Sequence, residues 1–132
     1  MNNNRFDEAK FKEDLNKYSS LFFSSKLAAN QILNMVMLTT FYEIGQDIQS
    51  KGRWFEMYIK RVSESFPEHK LLMSPQNIRS MCKFSSLVKV EEIVSLRLFE
   101  FSWDRLLHCI EISNSHDEFV AYVKEERKIG VA

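Results

Sequence analysis

The residues of this chain that most readily ligate metals or act as nucleophiles are three histidines, His69, His108 and His116, and two cysteines, Cys82 and Cys109. Metal ligation and hydrolysis need such groups at fixed spacings. These are scattered, with no H-E-x-x-H, no C-x-x-C and no acids clustered at ligand spacing. His108 and Cys109 are neighbours, but adjacent residues of a helix point about 100° apart, so they cannot form the hydrogen-bonded pair that thiol activation requires. Cys109 is expected to be a small core residue. Glycine occurs only at 45, 52 and 130, too sparsely for a phosphate-cradling loop. The acidic and basic run Glu125 to Lys128 is expected to be a solvated helix end. No catalytic residue, metal or cofactor is expected.

The chemistry that remains is binding. Net charge is zero, yet the middle is basic: residues 51 to 89 hold 8 basic and 3 acidic groups, whereas residues 90 to 132 hold 5 and 9. Such a segment can neutralise phosphates even in a neutral protein. Gln76, Arg79, Ser80 and Lys83 recur at helical spacing opposite Ile78, Met81 and Cys82. As a recognition helix, this stripe would direct Gln76 and Asn77 to base edges and Arg79 and Lys83 to phosphates or guanine. The alternative is an ordinary hydrated face. Arg53, Lys60 and Arg61 would grip backbone around Trp54, itself expected to be half-buried. The other aromatic residues are expected in the core.

These side chains must be held by helices. At 132 residues the chain is of single-domain size, and 45% hydrophobic with 27% charged residues is a globular composition. Three Gly and two Pro are too few for many hairpins. The expected fold is all-α or mainly α, a compact bundle of about six or seven helices with a helix-turn-helix-like unit. A first helix is expected over residues 5–23, packed through Phe6, Phe11, Leu15, Tyr18 and Phe22, and a second from Ser24 or Ser25 to about Gln49. Gly52 is expected to close the second helix. A third segment covers Trp54 to Phe66, with Trp54, Tyr58 and Val62 on one stripe. A fourth starts at Ser74-Pro75, a favoured N-cap followed by a favoured first residue.

Val94, Leu96 and Leu98 alternate with polar residues, so a short strand competes with helix over 94–101. Ser102 caps a further helix, and Ser115 with Glu118 forms a capping box for the last. Residues 1–4 and 129–132 are expected to fray. The apolar run Ile32 to Tyr42 is too short to span a membrane, and with no secretory leader pattern the expected location is the cytoplasm.

From about Ala29 to Lys128 the chain resembles the N-terminal helical domain of bacterial proteins assigned as PD-D/E-XK nucleases, a domain without an assigned function. The resemblance is carried by Asn34, Tyr42-Glu43-Ile44-Gly45, Phe66-Pro67, Ser74-x-x-Asn77-Ile78-Arg79-x-Met81, Phe84 and Phe101-Ser102-Trp103, in that order. Glu43 departs from the family's second aromatic, the family's glycine early in the third helix falls near Glu56, and no nuclease segment follows. The resemblance implies a winged-helix-like fold and a non-catalytic module that binds nucleic acid, in a family that travels with mobile elements and defence systems. The rival expectation is a small inhibitor that binds a nucleic-acid-processing nuclease such as a CRISPR effector.

Overall fold

From Glu8 to Gln49 the chain runs as one helix of 42 residues, α1. This corrects the division expected at Ser24 or Ser25. Serine is a weak helix former rather than a breaker, and continuing costs only about 0.5 kcal/mol per serine relative to alanine. No proline and no glycine before Gly45 interrupts the run. The side chain of Asp7 caps the start by accepting from the Lys10 N–H at 3.0 Å. At the far end Ser50 is the cap, and Gly52, at φ +57, takes the left-handed conformation that begins a 3-10 turn over Gly52–Trp54.

The computed structural model describes residues 5–130. After α1 come α2 (Phe55–Glu64), α3 (Pro75–Leu87), the single turn α4 (Glu92–Ser95), α5 (Trp103–Ile112) and α6 (His116–Ile129), with 3-10 turns at Pro67–His69 and Leu98–Glu100. The fold is all-α, and the described residues contain no strand. The caps read from sequence are in place: the hydroxyls of Ser74, Ser102 and Ser115 accept from the N–H groups of Asn77, Arg105 and Glu118. Glu118 reaches back to the N–H of Asn114. The expected fraying at 1–4 and 131–132 lies outside the described residues, whereas Ile129 is the last residue of α6.

Residues 94–101 form no wing. Arg97 adopts φ +53, and this left-handed residue reverses the chain between α4 and the turn at Leu98–Glu100. The reversal buries Ile93, Leu98 and Phe101 and leaves Val94 exposed, so the apolar alternation never lies along one sheet face.

The C-terminal half of α1 is the spine of the bundle. Leu38, Phe41, Tyr42, Gly45 and Ile48 are buried, mainly against α3. Gly45 marks the closest approach, since a Cβ there would collide with the carbonyl of Met81. Phe84 lies at the centre, with ring centroids 5.8 Å from Tyr42, 5.7 Å from Trp103 and 6.4 Å from Phe119, and Trp103 also meets Phe41 at 4.7 Å. Cys109 is a core residue, as expected. The N-terminal half of α1 differs: Phe11, Leu15, Tyr18 and Phe22 are all exposed, as is Phe6 just ahead of the helix. Their helical spacing is real, but the bundle provides nothing for them to pack on.

Candidate nucleic-acid interface

The stripe on α3, the fourth segment of the sequence reading, is largely engaged within the chain. Arg79 and Glu56 form a forked pair, with Nη1 donating to Oε1 at 2.8 Å and Nη2 to Oε2. The hydrogen bond from Arg79 holds the Glu56 carboxyl below its usual range, and Glu56 raises the guanidinium in turn. Both groups are in water, so the pair adds little stability. It does match the arginine charge with a carboxylate on the neighbouring helix. Lys83 donates from Nζ to the carbonyl of Glu111 at 2.9 Å, tying α3 to the last turn of α5.

Asn77 bridges three elements. Its Nδ2 donates to the carbonyl of Leu72, and its Oδ1 accepts from Trp103 Nε1 at 2.8 Å. Ser80, placed on the polar stripe by spacing, is buried. Of the candidates on α3, Gln76 alone is exposed with no side-chain hydrogen bond among the described residues, and it lines a groove of about 490 Å3 with Leu71, Leu72, Asp104 and Glu111.

The remaining candidates lie on α2 and the turn before it. Arg53, Lys60 and Arg61 are exposed and form no ion pair among the described residues. Lys60 shares an open cleft with Glu56, Glu64 and Arg79, so acids flank it. Arg61 lies instead beside Met57, Tyr58 and Phe66, along a groove of about 340 Å3. Trp54 is 47% exposed and Tyr58 41%. The Arg53 guanidinium sits 4.9 Å from the centroid of the Trp54 ring, and Lys51 Nζ sits 5.1 Å from that of Tyr58.

Two stripes run side by side along this segment, one apolar and one aromatic and cationic. Phe55, Ile59 and Val62 turn inward, and Trp54, Tyr58 and Arg61 turn outward. Sequence spacing groups Trp54, Tyr58 and Val62 instead, and so misses Tyr58 as a surface residue. The signal that distinguishes the stripes is the cation placed beside each outward ring, Lys51 and Arg53.

No other cluster offers chemistry of comparable definition. Cys82 and Cys109 are unpaired and buried, and burial pushes both thiols above their usual range, away from the reactive thiolate. Among the described residues no three His, Cys, Asp or Glu side chains are grouped to hold a metal ion, and no helix is long and apolar enough to cross a membrane. His116 pairs with Glu92, with Nε2 at 2.7 Å from Oε2, at the edge of a cleft that also contains Tyr42, Ser85 and Ser86.

Of the residues that carry the resemblance, Asn34, Tyr42, Gly45 and Asn77 make structural contacts. Asn34 donates to the carbonyl of Phe99 at 3.1 Å, Tyr42 to that of Val88 at 2.9 Å, Gly45 permits the α1–α3 contact, and Asn77 joins Trp103. These positions tie helices to one another and to their connections, so they describe a scaffold. No family model, no curated protein and no solved structure matches this chain significantly.

Proposed function

We propose that this chain is a non-catalytic nucleic-acid-binding module, related to the nuclease-associated helical domain it resembles, and that α2 with its preceding turn meets the ligand. One observation carries this reading: Trp54 and Tyr58 are exposed side by side, each with a cation over its ring, and Arg61 continues the same face. Exposed aromatic rings give bases a surface to stack on, while neighbouring cations neutralise phosphates. Single-stranded nucleic acid suits such a face best, because its bases are free to stack. Arg79 and Lys83 then act as supports for the interface.

The test is fluorescence anisotropy of labelled single-stranded RNA and duplex DNA at about 50 and 200 mM salt, a range over which phosphate contacts weaken strongly. The expected result is salt-sensitive binding that favours the single strand. Arg53→Ala and Arg61→Ala each flatten the salt dependence by roughly 0.7 in log–log slope, and Trp54→Ala costs about 1–3 kcal/mol. Absence of binding at the lower salt concentration refutes the proposal.

A second reading, a small inhibitor that occupies a nucleic-acid-processing nuclease in the manner of an anti-CRISPR protein, is favoured by the exposed apolar side of α1. It predicts a stoichiometric complex with the nuclease and no affinity for free nucleic acid.

A further inference from the structure

Phe11, Leu15, Tyr18, Phe22, Ser25, Ala29, Ile32 and Val36 follow one another in alternating steps of four and three residues. That is the a/d spacing of a coiled-coil seam. None of the eight is charged, and all are exposed. At about 100° per residue they fall in an arc roughly 100° wide, centred nearly opposite the Leu38, Phe41, Gly45 and Ile48 side that packs on the bundle. The seam extends for roughly 38 Å along the helix. Phe23 and Leu27 lie off it.

We infer that α1 pairs with α1 of a second copy of this chain as an antiparallel two-helix coiled coil. The order of large and small residues selects both the occupant and its direction. Run against itself about a twofold axis near residues 23 and 24, the seam sets Phe11 beside the partner's Val36, Leu15 beside the partner's Ile32, Tyr18 beside the partner's Ala29 and Phe22 beside the partner's Ser25. Each aromatic ring thereby meets a smaller residue, as close packing requires. A parallel pair would stack Phe11, Tyr18 and Phe22 each on its own copy and leave gaps at Ser25 and Ala29.

A second feature fits the same register. Ala28, Gln31, Ile32, Met35, Val36 and Phe99 line an apolar groove of about 330 Å3 where α1 meets the turn at Leu98–Glu100. The antiparallel pairing brings the partner's Phe11 and the partner's Leu15 to this groove. Burying both seams removes on the order of 1,200 Å2 of surface from water, within the range of stable interfaces.

Sedimentation equilibrium of the full chain over micromolar to millimolar concentrations tests the pairing. The expected mass is twice 15.6 kDa. Phe22→Glu, and independently Ser25→Arg in the same layer, each return it to the monomer value while the far-ultraviolet circular dichroism stays helical. Direction is read by oxidising Phe11→Cys and Val36→Cys proteins: the mixture forms a disulfide-linked heterodimer, and neither variant links to itself. The native Cys82 and Cys109 are buried and do not compete. A monomer mass throughout overturns the inference, as does a dimer that persists in both charged variants. Self-linking of Phe11→Cys overturns the antiparallel direction.

Discussion

The indole N–H of Trp103 donates to Oδ1 of Asn77 across 2.8 Å, joining the start of α5 to the first turn of α3. Since Asn77 also donates to the carbonyl of Leu72, one side chain fixes the connection into α3 and the angle of α5. Asn77→Ala leaves the mostly buried indole donor unpaired and should lower stability by about 1–3 kcal/mol in denaturant unfolding. Asn77→Asp keeps the acceptor for Trp103 but sets a carboxylate oxygen against the Leu72 carbonyl, so it should also destabilise, with the loss arising at the connection into α3. Nucleic-acid affinity of the folded variant should be unchanged, which separates this structural role from base recognition.

Glu56, on α2, matches the charge of Arg79 on α3. Removing the carboxylate frees a cation beside α2. Glu56→Gln should therefore strengthen binding of single-stranded RNA and steepen its salt dependence, whereas Arg79→Ala, which leaves the Glu56 carboxylate unmatched on α2, should weaken binding modestly. Anisotropy titrations at two salt concentrations report the difference, and a large loss with Arg79→Ala would return the interface to α3.

Gly45 has no room for a side chain. A methyl group there meets the carbonyl of Met81, which is backbone and cannot swing aside, so α1 and α3 would have to separate. Gly45→Ala should destabilise the protein by about 3 kcal/mol despite alanine's higher helix propensity. At exposed Ser24 the corresponding change to alanine should stabilise by a few tenths of a kcal/mol. Thermal melts of the two variants should shift in opposite directions.

His116 is held above its usual 6.5 by its hydrogen bond to Glu92 and, secondarily, by Asp117. Burial acts to raise the Glu92 carboxyl, but the Lys89 N–H and His116 outweigh it and leave the group below 4.5. The histidine's contribution to stability is complete below pH 6.5 and is lost as pH rises through its raised value. The carboxylate's contribution is present above pH 4.5 and is lost as pH falls through its lowered value. The pair thus helps most in the interval between. Salt screening and the unfavourable position of a cation at the start of α6 keep the effect small. His116→Ala should flatten the decline in melting temperature above pH 6.5 and leave the acid limb carried by the Lys89 contact.

The local chemistry of this fold was legible in the sequence, and its long-range pairings were not. Ser74-Pro75, Ser102 and Ser115 mark helix starts because capping is settled within four residues. The bonds that occupy the α3 candidates join residues 23 positions apart for Arg79 and Glu56, 26 for Asn77 and Trp103, and 28 for Lys83 and Glu111. Spacing along one helix reveals none of these. Arg97 shows the same limit, since a single left-handed arginine replaces the expected alternation with a turn. For α1, periodicity identified an apolar stripe but assigned Phe11, Leu15, Tyr18 and Phe22 to the core, whereas all four are exposed, because helical spacing does not show which turns of a helix the rest of the chain reaches.

A helix of 42 residues in which only the C-terminal half is buried should not open as one unit. Backbone amides near Phe41 and Ile48 are protected by the whole core and should exchange with solvent only on global unfolding. Those between Lys10 and Leu27 have only the helix's own hydrogen bonds, and isolated helical segments in water are marginal. Deuterium uptake along α1 should therefore climb steeply toward the N-terminus in dilute protein. One uninterrupted run of hydrogen bonds would then span timescales from fast local fraying to the lifetime of the folded state, with the transition near Asn34, where the helix first bonds to the rest of the chain.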